Sequence, residues 1–459
     1  MAISRRLALG LGLSGTIGAL ALWDIFGPQS PVEDSEDPEV LTNEPQDESS
    51  APPEPADENA IPDLFITWAP STNNPGSTLA ATRVTPSESK WTTNKPLWST
   101  PAEVGFVAGA LSLNGNMWGS WAEGDKRVVG LATPDTLKPA QFTWHNNHVP
   151  SGNPIGQMAL SGTTLVWIMD DPENSDWHVV TWDTSGSTPA RVIYSASENK
   201  LTAKTILVWT LRPIISGSWV IVEDHSPNPS WFVMVSLTSS ARIVRSTMSW
   251  PQAVVSSVPV SDLNQSGATP WGPGILLPSA SNEQGDFPEG SFTLSTIEGK
   301  EEDSANKGKA TTRCFVAAHD HSPIAGLSFS AGCDEVIISV AGITPDWNAA
   351  LLLGANRSTR MITGIQHCDV ITSSAPKKAA ILREITYLTY LGPDGEVLRA
   401  PWGNELSLEF YAPGEDVLVG PGGHVALRPH DPSVDKWDIL APPTAQNQSK
   451  DGTTESSNK

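Results

Sequence analysis

Carboxylates recur at one place in this sequence. Asp170-Asp171 and Glu223-Asp224 each close a short apolar run, and Glu123 with Asp125 closes a third. If these runs are equivalent strands of a repeated unit, the six acidic residues fall on one face. There they would form a negative patch that attracts a cation or a basic partner. Asp and Glu also end strands simply as solvated turn residues, which is the competing reading. If the patch reading holds, reversing the charge of Asp171 and Asp224 weakens a partner and leaves stability unchanged.

Other reactive side chains are sparse. His319-Asp320-His321 and His145-Asn146-Asn147-His148 are the histidine clusters. Two imidazoles at i, i+2 on a strand share a face, yet two ligands are too few for a metal centre. His, Asp and Asn are also ordinary turn residues. Cys314, Cys333 and Cys368 allow one bridge in three pairings with one thiol left over, or three buried thiols. Ser-x-x-Lys occurs at Ser87/Lys90, Ser197/Lys200 and Ser374/Lys377 without a Lys-Thr-Gly partner. No Gly-x-Ser-x-Gly, His-Glu-x-x-His or phosphate-binding loop is present. The sequence therefore assigns no catalytic residue, no metal and no cofactor. Eighteen tryptophans stand against four tyrosines. Trp177 and Trp231 hold the same repeat position, as packing residues would, while Trp91, Trp98, Trp250 and Trp271 lie in polar or Pro-flanked surroundings that suit a binding surface.

The elements that would position these groups are strands. Between about Asp63 and Leu440, short runs of Val, Ile, Leu and Trp alternate with Ser, Thr, Gly, Pro, Asn and Asp clusters, which predicts an all-β domain. Gly162, Leu165–Asp171, a Pro172 turn, Trp177–Val180 and Ala190–Ile193 are matched by Gly217, Trp219–Asp224, a Pro227 turn, Trp231–Val235 and Ala241–Val244. Fainter copies lie at Asn114–Leu131, Ile324–Thr363 and Cys368–Trp402. Four-stranded units repeating every ~40–50 residues predict a β-propeller, here of about seven blades, with six or eight also compatible. A row of β-sandwiches fits less well, because each needs about 100 residues.

Val179-Val180-Thr181-Trp182-Asp183-Thr184-Ser185-Gly186 resembles the third strand, polar turn and glycine of secreted bacterial propellers of the WD40-like and quinoprotein-like groups. The Gly-His start of the WD40 group is missing, and Ser236-Leu237 stands where Trp182-Asp183 would repeat. The resemblance implies a fold and no activity. Residues 283–309, rich in Gly, Ser, Glu, Asp and Lys, read as a surface insertion within one blade.

The N-terminus carries a second message. Ser4-Arg5-Arg6 before the uncharged run Leu7–Trp23 resembles a twin-arginine export signal, although Ala8 stands where that pattern has phenylalanine. An ordinary basic signal region is the alternative. Residues 1–27 are expected to form a signal-anchor helix with the folded domain outside, or a signal cleaved after Ala19-Leu20-Ala21. Residues 28–62 hold eleven carboxylates, eight prolines and no Lys or Arg, which predicts an extended, disordered acidic stalk. A disordered tail is expected over 441–459.

These features predict a membrane-tethered β-propeller that binds or scaffolds an envelope protein or an extracellular glycan, the partner having a basic surface. The membrane is met only through the N-terminal segment. The other reading is a carbohydrate-active hydrolase or lyase whose carboxylates are dispersed on the propeller face. With 28 Lys and Arg against 51 Asp and Glu, nucleic-acid binding is disfavoured.

Overall fold

The computed structural model describes residues 61–443, with internal gaps of which the longest are 198–210, 257–273, 279–289, 299–308 and 402–416. The expected signal-anchor and almost all of the expected stalk and tail lie outside the described residues. Among the described residues, no helix is long and apolar enough to cross a membrane.

The described residues fold as strands in seven sheets. Sheet 1 holds Val107–Leu111, Met117–Glu123, Lys126–Ala132 and Leu137–Pro139. Sheet 2 holds Asn153–Ser161, Thr164–Asp171, Asp176–Asp183 and Arg191–Ser195. Sheet 3 holds Arg212–Ser216, Trp219–Asp224, Trp231–Ser236 and Arg242–Ser246. Sheet 4 runs from Val254–Ser256 through Gly274–Pro278 and Phe292–Glu298 to Lys309–Ala318. Sheet 5 has Ile324–Gly332, Glu335–Ile343, Asp346–Gly354 and Thr359–Ile362. Sheet 6 has Asp369–Thr372, Ala380–Arg383, Tyr387–Leu391 and Val397–Pro401. Sheet 7 has Val417–Val419, Val425–Leu427 and Asp438–Leu440.

The core lies between sheets. Leu165, Trp167 and Met169 pack with Trp118 and Val129 of sheet 1, whereas Val166 and Ile168 pack with Val220 and Val233 of sheet 3. This is the period-2 alternation of a strand. Because both faces are covered, the strand reads as an unbroken apolar run. Comparable clusters join sheets 4 and 5, 5 and 6, 6 and 7, and 7 and 1. The first strands of these same neighbouring pairs also touch. The sheets therefore form an arc in the order 4-5-6-7-1-2-3, the arrangement of a β-propeller, in which each small sheet buries its faces only against its neighbours.

Two repeated devices support the arc. The turn between the first two strands carries a glycine with positive φ at Gly115 (75°), Gly162 (58°) and Gly217 (57°), a conformation that costs a side-chain-bearing residue energy. A fourth-strand arginine reaches the next sheet: Arg191 donates to the Leu237 carbonyl, and Arg360 donates to the Gly395 carbonyl at 3.2 Å.

The N-terminal segment is a strap. Leu64–Trp68 pairs antiparallel with Lys309–Ala318 and is itself flanked by Ser77–Ala80, extending sheet 4. Thr82–Val84 then lies parallel to Thr359–Ile362, and Ser87–Glu88 parallel to Val397–Pro401. Finally Trp98–Ser99 pairs antiparallel with Asp438–Leu440 and supplies the fourth strand of sheet 7.

Two expectations change here. Residues 283–309 are not one insertion, because Phe292–Glu298 is an integral strand of sheet 4, with Phe292 and Leu294 buried in the core. The alternation Phe292-Thr293-Leu294-Ser295 was the signal, masked by the polar residues on both sides. Trp98 is no surface platform either. It is partly buried against the cluster that joins sheets 7 and 1. Trp91, Trp250 and Trp271 lie outside the described residues.

The seam between sheets 7 and 1 has a titratable lock. His424 packs against Gly115, where an added Cβ would stand 2.7 Å from the imidazole. Burial holds the His424 pKa below its ordinary value of 6.5. The unfolded chain therefore takes up the proton first. Stability from this group is complete above pH 6.5, falls as pH drops below that value and levels off below the depressed folded pKa. Thermal midpoints at pH 7.5 and 5.5 should differ less for His424→Gln than for the native chain.

Candidate functional site

Antiparallel alternation puts every turn between second and third strands on one face of the arc. Glu123 is exposed there at the end of its strand. Asp170 and Asp171 end the second strand of sheet 2, and Glu223 and Asp224 end that of sheet 3. These described strand ends fall on one face of the arc. The second strands stand one position outside the first strands. Asp125 and the side chains of Glu223 and Asp224 lie outside the described residues.

Asp171 is not part of a solvated patch. Its residue surface is 2% exposed. Ser151 Oγ donates to Asp171 Oδ2, the Asn174 amide donates to the same oxygen at 2.8 Å, and the Asn174 backbone N–H donates to Oδ1 at 3.3 Å. Burial pushes the Asp171 carboxyl up, but the Ser151 and Asn174 hydrogen bonds and nearby His178 outweigh it and leave the pKa below the usual value. Asp170 behaves oppositely, raised by burial and then by the Asp171 charge. Paired groups pushed apart in this way can mark an acid and a base. Here the lower one is explained by its role in fastening the Pro172–Ser175 turn.

The neighbouring polar residues were not singled out by sequence reasoning. Asp176 accepts the Ser197 and Trp177 backbone N–H groups at 2.8 Å each and the Ser197 hydroxyl at 2.5 Å. His178 lies between the two carboxylates, with Nε2 3.8 Å from Asp171 Oδ2 and Nδ1 3.8 Å from Asp176 Oδ2. Its Nδ1 is 2.9 Å from Ser195 Oγ. Serine, histidine and aspartate are near one another, but both carboxylates are committed to backbone and hydroxyl donors of sheet 2 and its turns. The arrangement fastens the edge of the sheet. The one available signal was Asp-Trp at the start of a third strand, seen at Asp176-Trp177 and again at Asp346-Trp347.

Asp171→Lys is therefore expected to destabilise the fold by about 1–3 kcal/mol, since it removes an acceptor and strands its donors. Urea unfolding of this variant measures the loss. An unchanged midpoint would return Asp171 to the solvated-patch reading.

Sheet 6 carries a second polar centre on the same face. Glu384, with its side chain 0% exposed, pairs with Arg399 at 2.5 Å. It also accepts the Gln366 N–H at 2.9 Å and the Thr389 hydroxyl at 2.8 Å. Arg399 lies 4.0 Å over the Tyr387 ring and donates to the Gly364 carbonyl at 2.8 Å.

On the opposite face, a cleft of about 450 Å³ opens between sheets 2 and 3, lined in part by Thr181, Trp182, Asp183, Arg191, Leu237 and Thr238. Asp183 is the carboxylate among its described lining residues. Hydrogen bonds from Ser187 and then Ser185 hold that carboxyl down to about 2. It stays ionised and gives no proton near neutrality.

The remaining candidates are structural. His319 lies against Phe65 with ring centroids 5.4 Å apart, in a turn rather than on a strand. His321 has φ of 59°, and Asp320 accepts the Ser322 N–H at 3.0 Å. His145 donates its backbone N–H to the Ala190 carbonyl, while Asn146, Asn147 and His148 lie outside the described residues. Cys314 and Cys368 are buried in different clusters and are not bridged to each other. Burial pushes the Cys314 thiol up to about 12, so it is no nucleophile. Cys333 lies outside the described residues. Trp177 is buried against Tyr194, as the packing reading required, whereas the side chain of Trp231 lies outside them.

No family model matches the chain, and no curated protein matches it. Solved structures similar to it include a streptogramin B lyase, at 9% identity over 83% of this chain and 98% of that one, with a TM-score of 0.39. An oligogalacturonate lyase from Vibrio parahaemolyticus matches at 8% identity over 83% and 98%, with a TM-score of 0.41. A prolyl endopeptidase matches at 12% identity over 80% of this chain, with a TM-score of 0.38, and the chain spans only 51% of that protein's length. At these values the likenesses carry no argument about activity. The propeller assignment stands on sheet order and the clusters between sheets.

Proposed function

We propose that this chain is an exported, membrane-tethered propeller of seven blades, closed between sheets 3 and 4, that binds or scaffolds an envelope protein or an extracellular polymer. The observation that carries this reading is the strap. The strands between Leu64 and Ser99 lie on the outer edges of four sheets, so whatever precedes residue 61 is attached to the fold through four sheets. A tether pulling at residue 61 must then detach strands from four sheets in succession before it frees the body. The acidic stretch before the strap self-repels and has no Lys or Arg with which to lie on anionic lipid. It would hold the platform away from the bilayer.

The carbohydrate-active alternative needs two carboxylates about 5–10 Å apart beside a sugar-sized cleft. The cleft between sheets 2 and 3 offers Asp183 among its described lining residues, fixed in its ionised form.

The test is fractionation of cells making the tagged full-length chain, then external protease treatment and crosslinking. Recovery in the membrane fraction, digestion from outside and a reproducible crosslinked envelope protein or polymer are expected. Protection from external protease in intact cells would overturn the exported reading.

A further inference from the structure

Strand alternation builds the cleft between sheets 2 and 3 from one row of side chains. Thr164 and Asp183 are cross-strand partners, as are Thr181 and Arg191, so all four leave sheet 2 on one side. The same row carries Val166 and Val179, which pack against sheet 3. The interface is therefore apolar inside and turns polar at this end. Trp182 points the other way, into the cluster shared with sheet 1, and offers no stacking platform. The rim residues Thr188, Pro189, Arg191 and Gly217 are exposed. A volume of about 450 Å³ lies within the roughly 300–1,000 Å³ of ligand pockets.

Both charged groups are held in place. Asp183 Oδ2 accepts the Ser187 hydroxyl at 2.7 Å, and Oδ1 accepts the Ser185 N–H at 2.9 Å. Arg191 crosses to sheet 3 and donates to the Leu237 carbonyl. These bonds orient the two groups without using them up, since a carboxylate offers roughly four acceptor sites and a guanidinium several N–H donors. Groups fixed before a ligand arrives cost little ordering when it binds. One negative and one positive side chain give the cleft no net charge with which to recruit an ion. An anion would meet Asp183, and an ammonium would meet Arg191. The hydroxyls of Thr164, Thr181, Thr188 and Ser218 complete the polar lining. A ligand hydroxyl suits all of these groups, because it can give its proton to Asp183 and accept one from Arg191.

We propose that this cleft binds an uncharged sugar residue of an extracellular glycan, with Asp183 accepting from its hydroxyls and Arg191 donating to them. The inference rests on the binding reading above, gives its polymer branch a site, and does not depend on the tether. Asp183 stays ionised near neutrality, so the site holds the sugar and this carboxyl supplies no proton for cleavage.

Saturation-transfer NMR on the full-length chain, in a detergent that contains no sugar, tests this. The probes are neutral trisaccharides of glucose, mannose, galactose and N-acetylglucosamine, with trigalacturonate as an acidic one. At least one neutral probe should bind, equally well at low and high salt. Asp183→Asn should weaken that binding at least about tenfold by removing a charged acceptor. Thr188→Phe should do the same by crowding the cleft from its exposed rim, and it leaves the Asp183 turn intact. Thermal melts show which variants are folded, and a variant that fails to fold is replaced by the other. Tighter binding of trigalacturonate than of every neutral probe overturns the proposal, since an anion would then be selected. Neutral binding that the folded variants retain also overturns it, because the sugar would sit elsewhere. If no probe binds while the crosslinking above still recovers an envelope protein, the sugar site falls and the scaffolding reading stands. Failure of both withdraws the binding reading itself.

Discussion

Glu384→Ala is expected to cost about 3–5 kcal/mol of stability, the loss typical when one partner of a buried ion pair is removed. The Glu384 carboxylate is fully buried and binds Arg399, the Gln366 N–H and the Thr389 hydroxyl. Alanine leaves all three donors without that acceptor and strands the guanidinium charge in sheet 6. Glu384→Gln keeps the shape and part of the bonding, so it should lose less. Denaturant unfolding of both variants measures the difference. Equal midpoints for Glu384→Ala and the native chain would show that water replaces the carboxylate at low cost.

A chain beginning at residue 100 is expected to lose its cooperative unfolding transition. The deletion removes Leu64, Ile66 and Trp68 from the core between sheets 4 and 5. Large buried side chains contribute about 2–5 kcal/mol each when truncated. Three of them approach or exceed the 5–15 kcal/mol by which a typical domain is stable. The deletion also takes Trp98–Ser99 from sheet 7, with its pairing to Asp438–Leu440 and the Leu97 N–H bond to the Ile439 carbonyl at 2.7 Å. A chain beginning at residue 61 keeps all of these and should unfold cooperatively. Calorimetry of the two chains decides the matter, and a sharp transition in the shorter one would show the strap to be dispensable.

The sheet assignments of 1, 2, 3, 5 and 6 were legible because their strands are local in sequence. Each hairpin brings together residues a few positions apart, so apolar runs, turn glycines and Trp-led third strands mark the units directly. Sheet 4 was less legible. Its strand Phe292–Glu298 is isolated between polar stretches, and its outermost strands come from residues 64–80. The candidate face was legible in outline, since equivalent strand ends must share a side. The state of its residues was not.

Sequence by itself determined that this chain is an all-β repeat with an acidic, proline-rich leader, because strand period, turn chemistry and charge runs are properties of near neighbours. Only tertiary structure decided that Asp171 is a buried fastening, that Glu384 and Arg399 are paired across a sheet, and that the strands between Leu64 and Ser99 pair with four sheets. The strap pairs residues more than two hundred positions apart, Leu64 with Ala318 and Trp98 with Ile439. Edge pairing uses backbone groups common to every residue, so no local pattern announces its partner. Burial is likewise set by what a neighbouring turn supplies, and Ser151 and Asn174 reach Asp171 only once sheet 2 has formed.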